Sequence, residues 1–192
     1  MAQLALYTIG HSNHDMADFV QLLRMHSIDV VADVRSQPYS RVAHFRRERL
    51  ESSLKTCGVS YVFLGRELGA RREEPECYEN NQVSFGRVAE LPLFLEGIAR
   101  LERGAVKHMI ALMCAEREPL DCHRTVLVAR HLAQCSFQIR HILADGSIED
   151  HAATEERMVE AMGLDPLFDA ACGQDELVAR AYAERAQQIA YR

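Results

Sequence analysis

The sequence predicts an α/β fold: a mainly parallel sheet of about five strands with helices on both faces and a helical C-terminal part. Two observations predict it. Short apolar runs recur at LALYTI (4–9), IDVVADV (28–34), VSYVFL (59–64) and MIALMC (109–114), and QIRHIL (138–143) reads as a fifth strand. Between them lie segments with apolar residues at 3.6 spacing, so the connections are crossovers rather than hairpins.

Strand one closes at Gly10, and a helical pattern begins after Ser12 or Asn13. From His14 to His26 it places Met16, Phe19, Val20, Leu22 and Leu23 on one side, with Asp15 in a first turn that favours acids. Strand two (28–34) is rich in β-branched residues and ends in RSQPYSR, a loop marked by Pro38. Phe45 to Cys57 carries Leu50, Leu54 and Cys57 at helical spacing and stops at Gly58, a residue suited to a left-handed cap. Strand three runs into GRELGARREEPE, a polar connection that reads as a candidate lid. Val88, Leu91, Leu95, Ile98 and Leu101 form an apolar stripe that Pro92 must start or kink. The uninterrupted run Met109 to Ala115 has the character of a central strand covered on both faces. After EREPLD, a helix with Val126, Leu127, Arg130 and Leu132 leads to a fifth strand at 138–143. Thr154 to Met162 and Gln174 to Tyr191 read as helices, with Leu177, Ala181 and Ile189 facing inward.

A length of 192 residues with 48% apolar content suits one domain spanning 1–192, in which 145–192 is an acidic helical extension. The longest apolar run is far short of the roughly 20 residues a membrane helix needs. The first basic residue is Arg24, so no signal-peptide pattern opens the chain, and a cytoplasmic protein without a membrane partner is expected. The six cysteines are sparse and irregularly spaced and are read as thiols. Net charge is −6, against broad nonspecific binding to nucleic acid. Charge is nevertheless segregated: Arg35 to Arg72 holds nine basic residues against three acids, and Asp145 to Arg192 eleven acids against four arginines.

In a sheet of this kind ligands bind beyond the carboxyl ends of the strands. Those ends carry His11 and Ser12, Asp33 and Arg35, Gly65, and Cys114 with Glu116. The densest constellation is CAEREPLDCHR, 114–124. Asp121 is the expected N-cap there, with Cys122, His123 and Arg124 in a first helical turn whose free amides favour a thiolate and a neutral imidazole. Cysteine-dependent phosphatases and sulfurtransferases share this layout, but with five residues between Cys and Arg where this chain has nine. Cys114, Cys122, His123 and His11 also form a soft ligand set for zinc, though without any common zinc spacing, and the two cysteines could form a dithiol switch. Asp33 and Arg35 point the same way along a strand and can pair with each other or face one ligand. His11 with Ser12 can serve as a base or as a helix cap. Arg41, beside Ser40 at the end of the Pro38 loop, can join Arg35 and Arg124 around an anion.

Taken together, TIGHS (8–12), DVRSQPYSR (33–41), GVSYVFLGRELGAR (58–71) and CAEREPLDCHR (114–124) resemble the bacterial family catalogued as domain of unknown function 488. That family has a double glycine after the strand-three block; here the second position is Ala70. The resemblance implies little mechanism, and its motif residues are largely the strand-end set. The leading expectation is an enzyme acting on a small anionic or nucleotide-like ligand. Catalysis would fall to Cys114, Cys122, His11, His123, Asp33 and Glu116, and the anion to Arg35, Arg41, Arg124, Ser12 and Ser40. The alternatives are a protein that binds or processes nucleic acid and a metal or redox sensor without turnover.

Overall fold

The computed structural model describes residues 4–135, 137–164 and 173–192. Strand β1 (Ala5–Gly10) leads to α1 (Met16–Met25), whose N-cap is Asp15: its carboxylate accepts from the Asp18 amide at 2.8 Å. Ser12 and Asn13 thus lie ahead of the helix rather than capping it. Strand β2 (Val30–Asp33) is followed by a turn that buries Phe45 and by α2 (Arg47–Thr56), which buries Leu50 and Leu54. Gly58, at φ +78°, ends that helix in the left-handed conformation and starts β3 (Ser60–Phe63).

The polar connection expected as a lid opens with one helical turn, α3 (Gly65–Leu68), and is fastened by the buried Arg72. Its guanidinium donates to the Arg66 and Glu67 carbonyls and pairs with Glu74. A hairpin follows, β4 (Tyr78–Glu79) and β5 (Gln82–Val83), turned by Asn80 and Asn81 at positive φ. Helix α4 (Phe85–Glu90) precedes α5 (Pro92–Ala105), so Pro92 starts a second helix rather than kinking one. Strand β6 (Ile110–Cys114) is buried throughout. A π-helical turn, Arg124–Ala129, runs into α6 (Arg130–Gln134). Strands β7 (Gln138–Ile142) and β8 (Ile148–Asp150) lead to α7 (His151–Ala161) and α8 (Gln174–Ile189).

The sheet has six strands in the order β3-β2-β6-β1-β7-β8, parallel except for β8. The sixth strand escaped the sequence because it is three residues long with a single apolar residue, Ile148. It returns through a tight turn in which the Leu143 amide donates to the Ser147 carbonyl. Side chains alternate across the sheet. Leu6, Ala32, Leu112 and Cys114 join the core shared with α4, α5, α8 and the π-helical turn. Tyr7, Ile9, Val31, Ala111 and Met113 pack with Phe19 and Leu23 of α1 and with Leu50 and Leu54 of α2. Among the described residues no helix is long and apolar enough to cross a membrane.

Gly10 sits where the backbone of β1 meets the 115–117 loop: a Cβ there would overlap the Glu116 carbonyl oxygen. Gly10→Ala is expected to lower the unfolding free energy by about 1–3 kcal/mol. Gly86→Ala, whose Cβ would meet nothing closer than Ser84 Oγ at 3.9 Å, should leave it unchanged or slightly raised. Equal urea midpoints for the two variants would show that the loop yields freely at Gly10.

Candidate functional site

Parallel pairing brings three strand ends level. Gly10 lies opposite Cys114 and Asp33 opposite Met113. Past the last pair, the His11 amide donates to the Cys114 carbonyl at 2.9 Å and the Ser12 amide to the Ala115 carbonyl at 3.0 Å. Alternation then places the Asp33 and Cys114 side chains on opposite faces of the sheet, so two polar clusters flank one edge.

On the α1/α2 face, Asp33 and Arg35 form a buried bidentate pair, Nε to Oδ1 at 2.9 Å and Nη2 to Oδ2 at 2.6 Å. Tyr61 donates its hydroxyl to Asp33 Oδ2 at 2.8 Å. Arg35 Nη1 donates to the Phe45 carbonyl at 3.0 Å and to His11 Nε2 at 3.2 Å. His11 stacks on Phe45 and donates from Nδ1 to the Ser12 carbonyl. Burial first, then the Arg35 charge, pushes its pKa down to about 4, so the ring is neutral at pH 7. That neutrality is what lets Nε2 accept from Arg35.

On the other face, Cys114, Cys122 and His123 place their ligand atoms within 4.8 Å of one another. Cys122, in extended conformation, is the residue that caps the following turn: its carbonyl accepts from the Thr125 and Val126 amides, and its sulfur from the Arg124 amide at 3.4 Å. Asp121, the cap expected from sequence, instead pairs with Arg185 of α8. His123 Nε2 donates to the Val34 carbonyl at 3.0 Å, which turns Nδ1 toward Cys114 Sγ at 3.7 Å and Cys122 Sγ at 3.9 Å; Nδ1 accepts from a thiol while the ring is neutral and donates to the Cys122 sulfur once protonated, the form that Cys122 and Glu116 favour.

Cys122 Sγ and Glu116 Oε2 lie 2.9 Å apart with one proton between them. Burial opposes ionisation of Cys122, but a hydrogen bond from Cys114, the Arg124 charge and His123 outweigh it and hold this thiol well below the ordinary value. Burial, reinforced by the neighbouring Cys122, raises Cys114 well above it, and burial with the Cys122 charge raises Glu116. The cluster therefore holds one negative charge far more readily than two.

Arg124 is 0% exposed. Nη1 donates to the Glu116 carbonyl at 2.7 Å, Nη2 to the Arg117 carbonyl at 3.3 Å and Nε to Thr8 Oγ1 at 3.4 Å. Thr8 begins a buried chain through the sheet: Oγ1 to His141 Nδ1 at 2.8 Å, His141 Nε2 to His151 Nδ1 at 2.9 Å, His151 Nε2 to the Tyr182 hydroxyl at 3.0 Å, and that hydroxyl to Glu155. Read from Glu155, each group accepts from the next, a pattern that requires both histidines to be neutral.

A cavity of about 330 Å³ opens over the edge, lined among others by Cys114, Glu116, His123, Arg35, Ala70, Arg71, Tyr39 and Tyr191. The expected residues Cys122, His11, Asp33, Arg41, Ser12, Ser40 and Arg124 are not in this lining. Arg41 is exposed, Ser40 Oγ accepts from the Val42 amide, Ser12 turns at positive φ and Arg124 is enclosed. His11 is spent on Arg35 and is not among the three clustered ligands, so the four-ligand zinc set reduces to a Cys114, Cys122 and His123 cluster that could hold a metal. The sequence reading missed Tyr39, Arg71 and Tyr191. Tyr39 and Arg71 lie inside quoted motifs, whereas nothing local marks Tyr191, which is fixed at the edge by its carbonyl accepting from the Val83 amide. Cys57, Cys77, Cys114, Cys122 and Cys135 are free thiols; Cys172 lies outside the described residues.

Residues 15–131 match the family model described as Domain of unknown function DUF488, more than half of the chain. The chain belongs to this family. No curated protein and no solved structure matches it significantly. The DUF488 match takes in the ends of β2, β3 and β6 and the capping Cys122, while TIGHS precedes it and Tyr191 follows it.

Burial holds His11 and His151 at about 4 and His141 well below 6.5. Each binds a proton more readily unfolded than folded, so its contribution is complete above about pH 6.5 and is lost as pH falls below it, for His11 and for His151 toward pH 4 and of order 3 kcal/mol. His123 is raised, so its contribution is complete below about pH 6.5 and is lost only as pH rises above it. Urea midpoints should fall steeply between pH 6.5 and 4.5, less so in His151→Gln. A flat profile would mean that these histidines titrate normally in the folded protein.

Proposed function

We propose that this DUF488-family protein is a cytoplasmic, cysteine-dependent hydrolase or transferase that binds a small anionic substrate at the carboxyl edge of its sheet. One observation carries the reading: Cys114 lines the cavity while His123, tied through Nε2 to the Val34 carbonyl, turns Nδ1 toward its sulfur. Cys114 is the nucleophile and His123 takes its proton. Cys122 carries the charge the cluster tolerates in the resting state and is placed to resolve a sulfur adduct. Glu116, raised by burial, returns a proton to a leaving group. Arg35 and Arg71 face the anion. Asp33 and His11 hold the Arg35 guanidinium, and Arg124 positions the 116–117 loop.

The closeness of Cys114, Cys122 and His123 supports a second reading, in which these three hold a soft metal such as zinc and leave a fourth position for water or substrate. Elemental analysis of protein purified without a His tag separates the two. About one zinc per chain, lost in Cys122→Ser, supports the metal reading, and its absence removes it.

The thiol reading predicts selective alkylation. Iodoacetate, which carries a carboxylate, should modify Cys114 faster than neutral iodoacetamide does, phosphate should compete, and His123→Gln should slow the reaction about 100-fold. Peptide mapping by mass spectrometry reads each site. If Cys114 reacts no faster than the partly buried Cys57, Cys114 is a core thiol and no nucleophile.

A further inference from the structure

Two tyrosines stand at the cavity with an arginine over one face of each ring. Tyr39 is 65% exposed and has the Arg46 guanidinium 5.0 Å from its ring centroid; Tyr191 is 48% exposed and has Arg71 at 4.9 Å. Both rings line the same cavity as Cys114 and His123. Large aromatic rings left this open in pairs beside a polar cavity are surfaces for stacking a planar ligand, and every nucleobase has a π-face.

The charges in the cavity are unequally committed. Arg35 is neutralised by Asp33, Asp121 by Arg185, and Glu116 shares a proton with Cys122. Arg71 differs: its amide donates to Ser36 Oγ and its side chain stacks on Tyr191, but among the described residues its guanidinium has neither an ion-pair nor a hydrogen-bond acceptor. A guanidinium fork with free donors beside an exposed ring matches a phosphate attached to a heteroaromatic base. At about 330 Å³ the cavity is at the small end for ligand sites, room for one nucleotide rather than for a strand.

We infer that the substrate taken at this edge is a nucleoside monophosphate, its base stacked on Tyr39 or Tyr191 and its phosphate held by Arg71. The inference rests on the reading of the edge as an anion-binding thiol site and names the class of molecule bound there. Tyr39, Tyr191 and Arg71 become specificity residues; none of them touches the thiols through any hydrogen bond.

Calorimetry on the full chain tests it with four probes: AMP, UMP, ribose 5-phosphate and adenosine. Both nucleotides should bind at least about tenfold more tightly than ribose 5-phosphate or adenosine. Tyr39→Ala or Tyr191→Ala should remove most of that difference while Tyr39→Phe keeps it. Arg71→Ala should weaken AMP while leaving adenosine unchanged. Equal melting temperatures among the exposed-site variants exclude loss of folding as the cause. Ribose 5-phosphate binding as tightly as AMP overturns the nucleotide and leaves the anionic thiol site standing. Absence of binding by all four, with Cys114 still preferring iodoacetate, also overturns the nucleotide alone. Tighter binding of an eight-residue thymidine oligonucleotide than of UMP, falling steeply with salt, overturns it in favour of a nucleic-acid strand.

Discussion

A fully buried guanidinium without a carboxylate partner among the described residues, Arg124, holds the rest of the edge in place. Its donors reach β1 through Thr8 and the loop after β6 through the carbonyls of Glu116 and Arg117. Loosening that fork would leave a buried cation uncompensated, one of the costliest single defects a core can carry. Compensation comes from carbonyl dipoles and from the charge shared by Cys122 and its neighbours, so the clamp and the thiols stabilise each other. The chain from Thr8 through two neutral histidines to Tyr182 extends this dependence to α7 and α8. The C-terminal helices are thereby tied to the same edge whose cavity Tyr191 lines.

The sheet separates two tasks. On one face Asp33, Arg35, His11 and Tyr61 bond to one another and to the Phe45 and Ser12 carbonyls, which makes a rigid wall. On the other face the two sulfurs meet one imidazole nitrogen at 3.7 and 3.9 Å, a geometry that leaves them able to exchange a proton or admit a ligand. The two sides meet at Val34, whose carbonyl fixes the His123 tautomer just past the β2 residue that anchors Arg35. A π-helical turn directly after the cluster fits this picture, since the extra residue in such a turn re-aims side chains, often beside functional sites.

The strand ends were legible in the sequence because parallel strands separated by helices level themselves at one edge. Apolar runs alone located β1, β2, β3 and β6. Strand β8 and the β4–β5 hairpin were not legible, being two or three residues long and set by turn geometry. His11, Asp33 and Cys114 were placed at one edge correctly, but period-two alternation also puts Asp33 and Cys114 on opposite faces, and that distinction came only with the register. Arg41 and Arg124 could not be told apart from Arg71 by sequence, since which of them a solvent cavity reaches depends on side-chain packing. Tyr191 carries no local signal because a contact from the chain's end to β5 brings it to the edge.

A buried thiol cluster that shares one negative charge, stabilised by Arg124 and His123, is the centre of this structure. The pH dependence of Cys114 and Cys122 alkylation by iodoacetamide, compared in Cys114→Ser and Cys122→Ser, reports on it directly. An apparent pKa at least about one unit below the free-thiol value near 8.5 is expected for the first ionisation, shifting upward when Cys122 is replaced. Two thiols that both ionise at or above that value would contradict the shared charge and leave the cluster a structural or metal-binding one.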